Sequence, residues 1–187
     1  MSVPTSASSM GLKPGIWTVD PVHSTVEFLV KHLVVSKVRG RFTDFSGSIE
    51  VGEDILDSKV IANIAANSIF TGQEMRDNHL RTGDFLDIEK YPTITFTSTA
   101  VTPTSDSYKL TGDLTMHGVS KAVELDLEFN GVSKSPQGDV RAGFSAKGVI
   151  SRKDFQMEFN APLDGGGMML SDKLNIEIEI EAVEPAE

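Results

Sequence analysis

The sequence predicts an all-β protein: an antiparallel barrel of roughly eight to ten strands with one short helix at its mouth. Three observations carry this. Apolar residues recur at every second position from one end of the chain to the other, the period of a half-buried strand. Clusters of turn-forming residues separate these runs at short intervals, which favours antiparallel pairing. Closing such a meander on itself removes its aggregation-prone edges, whereas a two-sheet sandwich is the alternative the same pattern allows.

In chain order, residues 1–14 are small and polar at first and are expected to form a flexible tail. A single barrel domain is expected over 15–183, with 184–187 as a frayed end. Val26-Phe28-Val30 is the first clear alternation, and between 38 and 51 the apolar parity changes, from Val38 and Phe42 to Phe45, Ile49 and Val51. A strand that changes faces must bend or bulge, as at a barrel corner, and Gly40 and Gly47 permit it. Val60-Ala62-Ile64-Ala66 follows. Thr71-Gly72-Gln73-Glu74 then has the spacing of a capping box, and Gly83 suits a helix end, so 74–82 is expected to be a short helix with an Asp77–Arg81 pair. Its small apolar surface suits a lid at a barrel mouth.

Strand patterns resume at Ile94-Phe96, then at Tyr108, Leu110, Gly112, Leu114 and Met116, and at Leu125-Leu127-Phe129. Val140-Ala142-Phe144-Ala146 continues them, and turn signals fall at 103–106, Asn130-Gly131 and 135–139. A single turn is expected to start at Ser151-Arg152-Lys153-Asp154. The last run is the cleanest: Leu174, Ile176, Ile178 and Ile180 alternate with Asn175, Glu177, Glu179 and Glu181. One face is greasy and the other is nearly all carboxylate, the pattern of a sheet with one solvated face.

Composition narrows the function. Within 187 residues, 17 Lys and Arg face 27 Asp and Glu, a net charge of −10 that disfavours nucleic acid and anionic lipid as partners. There is no Cys, which removes disulfides, thiolate metal sites and cysteine nucleophiles together. No run of apolar residues reaches the ~18 of a transmembrane helix. The first residues lack the features of a secretion signal, so the cytoplasm is the expected setting. The sequence leaves a homodimer open.

The motifs of serine hydrolases, zinc peptidases, phosphate loops and dinucleotide folds are absent, and Gly165-Gly166-Gly167 reads as a surface loop. Four histidines, His23, His32, His79 and His117, lie far apart. With Asp20, Asp77 or Asp84 they can build a metal or acid–base site, or serve as hydrogen-bonded structural groups; the spacing selects neither, and neither a metal nor a cofactor is assigned. Lys31, Lys37, Arg39 and Arg41 form a local basic cluster that can grip an anionic head or simply face solvent, and Arg76 and Arg81 can join its rim. The apolar faces carry Phe28, Val30, Phe42, Phe96 and Leu114, then Met116, Phe144, Phe155, Met157 and Met168. Small residues on the same faces, Ala62, Ala66, Gly112, Ala142 and Ala146, are expected to leave room for a ligand tail.

Ordered motifs now combine. Gly15-Ile16-Trp17-Thr18-Val19-Asp20-Pro21-Val22-His23-Ser24, Val38-Arg39-Gly40-Arg41-Phe42 and Phe45-Ser46-Gly47 open the series. Arg76-Asp77-Asn78-His79-Leu80, Asp84-Phe85-Leu86-Asp87, Tyr91-Pro92 and Leu114-Thr115-Met116-His117-Gly118-Val119-Ser120 continue it, and Arg152-Lys153-Asp154-Phe155 ends it. Over about 15–183 the chain resembles the YceI-like lipid- and polyisoprenoid-binding family. The resemblance implies a lipocalin-like antiparallel barrel whose apolar tunnel holds an isoprenoid chain, such as a polyprenyl phosphate or an isoprenoid quinone, with no enzymatic activity. Many relatives are periplasmic. Where the family commonly has Gly after Asp-Phe, this chain has Gln156.

The expected function is therefore non-catalytic binding, storage or carriage of a long isoprenoid amphiphile. The apolar residues named above would hold the tail, and Arg39, Arg41, His79 and His117 are the head-group candidates. The competing expectations are an enzyme acting on a hydrophobic substrate through His79 or His117, and a ligand-free interaction protein whose barrel is packed solid.

Overall fold

The first and last strands of the chain lie side by side. In the computed structural model, which describes residues 3–186, β1 (Gly15–Val19) and β2 (Thr25–His32) both pair antiparallel with β11 (Leu170–Val183). On their other side, β2 pairs with β3 (Ser36–Phe42) and β1 with β4 (Phe45–Val51). β5 (Lys59–Ala65) and the two-residue β6 (Ile69–Phe70) lie against β4 and β3 respectively. From β5 the ladder runs on through β7 (Thr93–Pro103), β8 (Tyr108–Met116), β9 (Val119–Lys134) and β10 (Val140–Ser151) to β11. Counting β1–β2, β3–β4 and β5–β6 as three jointed staves gives a closed eight-stranded antiparallel barrel with one short helix, a lipocalin-like fold. The sandwich alternative is excluded by this closure.

The joint between β3 and β4, at Thr43-Asp44, is the bend that the parity change predicted. Two other expectations are corrected. Asn130-Gly131 does not end a strand: it lies inside β9, where the register against β10 shifts beside Gly143 and Phe144, so it is a bulge. Small residues do not all leave space. A Cβ on Gly112 would lie 2.4 Å from Phe96 Cζ, and one on Gly40 would lie 2.2 Å from Phe28 Cζ. Each glycine is a seat for a neighbouring aromatic ring, whereas Ala62 and Ala146 do face the interior.

Residues expected to form a loose tail are packed instead. Ala7 is fully buried and Leu12 nearly so; Ala7 N–H donates to the Glu53 carbonyl and Ile55 N–H to the Thr5 carbonyl. The segment sits with Trp17, Ile49, Val51, Ile55, Tyr108 and Leu110 in a core at one end of the barrel. Its apolar residues fall at irregular intervals around a single turn, Ser8–Met10, so no period announces them.

At the other end, α1 (Glu74–Arg81) matches the expected helix, but its cap differs. Gln73 is the N-cap and accepts from Arg76 N–H, while Thr71 donates through both its backbone N–H and its hydroxyl to Asp77 Oδ1. Asp77 is buried by this arrangement, and the expected Asp77–Arg81 pair does not form. Arg81 binds the Asn67 and Ile69 carbonyls instead, tying the helix to β6. The turn at Lys153–Phe155 ends in Gln156 with φ of 60°. The left-handed geometry that Gly takes freely is thus kept with a side chain, at a cost on the order of 1 kcal/mol.

The break between β1 and β2 is held by ions. Arg141 on β10 donates to Asp20 Oδ2 at 2.6 Å and also to Glu181 and Asp139, and His23 Nδ1 donates to Asp20 at 2.8 Å. The His23 hydrogen bond first, and Arg141 second, hold the Asp20 carboxyl well below the usual carboxylate range. A depressed native pKa gives a contribution that is complete above the ordinary aspartate value, 3.8, and is lost as pH falls towards the native value. Chemical denaturation at stepped pH should therefore show wild type more stable than Asp20→Asn near neutrality, with the gap closing below about pH 3. A gap independent of pH would show that Asp20 acts through packing alone.

Candidate functional site

A cavity of about 410 Å³ occupies the barrel, within the range of about 300–1,000 Å³ usual for sites that hold small organic molecules. Its wall is drawn from inward positions of all eight staves, so period two decides its chemistry: Leu174, Ile176, Ile178 and Ile180 of β11 face it while Glu177 and Glu179 face water. Inward residues such as Phe28, Phe42, Leu114 and Ile176 are only partly buried, because their free surface belongs to the cavity. Met10, Leu12, Ile55 and Tyr108 lie at one end. Arg76, His79 and Leu80 of α1, with Arg152, Met157, Phe159 and Met169, lie at the other.

Of the expected tail residues, Phe28, Val30, Phe42, Phe96, Leu114, Met116, Phe144 and Met157 line the cavity. Two do not. Phe155 is 1% exposed and sits behind the wall in the core at the helix end. Met168 points outward at 48% exposure, and its neighbour Met169 takes the lining position. Among the small residues, Ala66 and Ala142 are packed in the core and expose no surface to the lumen.

The expected head-group set largely comes apart. Arg39 lies on the outer face, bound to Glu27 at 2.6 Å and Glu177 at 2.9 Å. Arg41, also outward, covers the Phe70 ring at 5.3 Å. His117 occupies a tight β8–β9 turn with φ of 53°, donates from Nδ1 to the Phe155 carbonyl at 2.9 Å and packs edge-on against Tyr91. None of the three reaches the cavity. His79 does: it donates from Nε2 to Asp84 Oδ2 at 2.8 Å, and its ring is clasped between Phe85 and Phe159 at centroid distances of 5.1 and 4.8 Å. Arg76 and His32 also border it.

The residue that spacing missed is Arg152. It is 3% exposed, borders the cavity, and is held by three backbone carbonyls: Nε donates to Ser171, and Nη1 to Met157 and Phe159. A signal existed. Ala142, Phe144, Ala146, Gly148 and Ile150 are the inward parity of β10, and Arg152 is the next position in that count.

Among the described residues one group has the ligand types and spacing of a metal site, Asp20, His23 and Glu181. The Arg141 guanidinium already bridges both carboxylates, so the cluster is explained as the ionic joint between β1 and β2.

The YceI-like domain family matches residues 17–182, nearly the whole barrel. The chain belongs to that family. A UPF0312 protein of Staphylococcus aureus (strain N315) is 40% identical over 167 residues, covering 88% of this chain and 95% of its own. The crystal structure of the Campylobacter jejuni YceI protein is similar to this YceI-like domain with a TM-score of 0.72 and 38% identity, over 83% of this chain and 90% of that one. At the level of fold alone, a polyisoprenoid binding domain from Saccharophagus degradans aligns with a TM-score of 0.67 and 16% identity, covering 92% of this chain and 100% of that one. Among the described residues no helix is long and apolar enough to cross a membrane.

Proposed function

We propose that this YceI-like domain binds and stores or carries a long-chain isoprenoid amphiphile, without catalysing a reaction on it. The observation that carries the reading is the apolar cavity inside the closed barrel, with polar side chains concentrated at the helix end. The described binding of polyisoprenoid by a structural relative is consistent with it. The cavity argues against a barrel packed solid, and of the two histidines an enzyme could use, His117 is committed to the Phe155 carbonyl outside the lumen while His79 borders it.

Transfer from water gives about 4 kcal/mol for a five-carbon isoprene unit, at ~0.8 kcal/mol per carbon. A tail taken from a membrane has already left water, so most of that gain cancels. Cavity shape and head contacts then set which amphiphile is held. Solvent extraction of the purified protein, with mass spectrometry of the extract and native mass measured in parallel, should recover one long-tailed amphiphile per barrel. A ligand-free protein that also takes up neither polyprenols nor quinones would overturn the reading.

A further inference from the structure

The turn between β2 and β3 breaks two rules at once. Leu33 and Val34 take left-handed backbone, with φ of 54° and 64°. A tight hairpin normally fills such positions with Asn and Gly, and a β-branched residue there is strained. The side chains held in this strain are also bare: Leu33 is 40% exposed, Val34 75% and Val35 86%. The bond from Leu33 N–H to the Met169 carbonyl brings exposed Met168 alongside them. Neither the strain nor the exposure stabilises the free protein, and a bare apolar tip marks an interaction surface.

One edge of the hairpin is open. β3 pairs with β6 through Arg41 and Phe42, and from Ser36 to Gly40 no strand adjoins that edge among the described residues. Below the tip, Lys31 and Lys37 lie directly opposite one another, both exposed. Like charges so placed repel. Arg39 is matched by Glu27 and Glu177, whereas neither lysine has a carboxylate within ion-pair distance among the described residues. From Phe28 to Phe42 the sequence holds four Lys and Arg and no Asp or Glu, and the adjoining loop 161–169 adds one charged residue, Asp164.

We propose that this hairpin docks the protein on a bilayer, Leu33, Val34 and Val35 entering its apolar boundary while Lys31 and Lys37 meet anionic phospholipid head groups. An apolar tip above paired cations matches the order of a membrane's own layers. A tip of three residues is too small for a stable interface with another protein, which takes roughly 20–30 residues a side. The net charge of −10, unfavourable to anionic lipid when spread over the whole surface, here sets the orientation: the body is repelled and the basic end leads. His32 and Met169, at the foot of the hairpin, border the cavity, so docking sets the helix end of the barrel against the lipid. The docking does not depend on what the cavity holds.

Sedimentation with vesicles tests this, using phosphatidylcholine alone and phosphatidylcholine with about one third phosphatidylglycerol. Wild type should bind the mixed vesicles, more weakly as salt rises. Leu33→Asn with Val34→Gly supplies the residues the turn prefers. That variant should unfold no lower than wild type, yet bind mixed vesicles about tenfold or more weakly. Lys31→Gln with Lys37→Gln should lose about tenfold on mixed vesicles and nothing on phosphatidylcholine alone. Because the chain has no Cys, an environment-sensitive fluorophore on Val35→Cys reports the tip. Its emission should shift to the blue on mixed vesicles, and one on Gln137→Cys, in the β9–β10 turn at the opposite end, should not. Should the turn variant fold poorly, the two labels still decide. Wild type that ignores mixed vesicles, undiminished binding by a folded turn variant, or equal shifts at both ends would overturn the assignment. So would a wild-type dimer that the turn variant splits, which would give the tip to a second copy of the chain. Each of these leaves the cavity reading to its own test, extraction of an amphiphile from the purified protein.

Discussion

Ala62→Phe should lower the affinity for a long-tailed amphiphile by a factor of about 200 and leave the barrel folded. Ala62 lies on β5 opposite Phe96 of β7 and Gly47 of β4, and its side chain faces the lumen. A phenyl ring there enters free space rather than a packed core, so the usual penalty of overpacking is small. What it takes is tail volume. Excluding about four tail carbons, at ~0.8 kcal/mol each for a ligand delivered from water, costs about 3 kcal/mol. Displacement titration with long- and short-tailed versions of one amphiphile checks this, with thermal unfolding of the variant alongside. The short tail should be affected far less. Unchanged affinity for the long tail in a folded variant would place the ligand outside the barrel.

Trp17→Ala should remove about 3–5 kcal/mol of stability and lower the midpoint of thermal unfolding by about 10 °C. Trp17 is fully buried, and its indole N–H donates to the Lys13 carbonyl at 2.8 Å. It belongs to the core that the N-terminal segment completes, beside Ala7 and Leu12. Truncation therefore opens a void under that segment and removes the hydrogen bond that pins its last turn to β1. Trp17→Phe retains most of the apolar contact and should lose only about 1 kcal/mol, for the unpaired carbonyl. Calorimetry of the three proteins separates the two contributions. A loss in Trp17→Ala no larger than that in Trp17→Phe would mean that the indole is not what supports this end.

Alternation made the barrel legible because a half-buried strand writes its burial directly into the order of residues. The same count, carried further, contained most of the site. On β3, Val38, Gly40 and Phe42 point inward, which already placed Arg39 and Arg41 on the outside. On β2, Phe28 and Val30 lead to His32, which borders the cavity. On β10 the inward count ends at Arg152. A charge at the end of an apolar series reads as the strand's exit to solvent. What buries Arg152 is a set of carbonyls at 157, 159 and 171, supplied by a returning loop that no local pattern encodes. The N-terminal segment was illegible for a related reason: its order comes from long-range bonds to Glu53 and Ile55 and not from a period of its own. His117 stood out as chemistry in the sequence, yet its place is explained by the turn it makes.

The seam that closes the barrel also dictates when the protein can exist. Glu181 N–H donates to the Ser24 hydroxyl across 157 residues, and β11 is the common partner of β1, β2 and β10. A ribosome needs roughly 8–30 s to make that length of chain. Throughout that interval β11 is missing, so the future lumen cannot be closed. Such long-range closure is intrinsically slow and exposes an apolar surface to aggregation while it waits. No part of the lumen can be sealed early, because the wall that completes it is translated last. A ligand of the kind proposed would therefore enter a finished barrel, and any companion of the growing chain would have to shield the inner face before that.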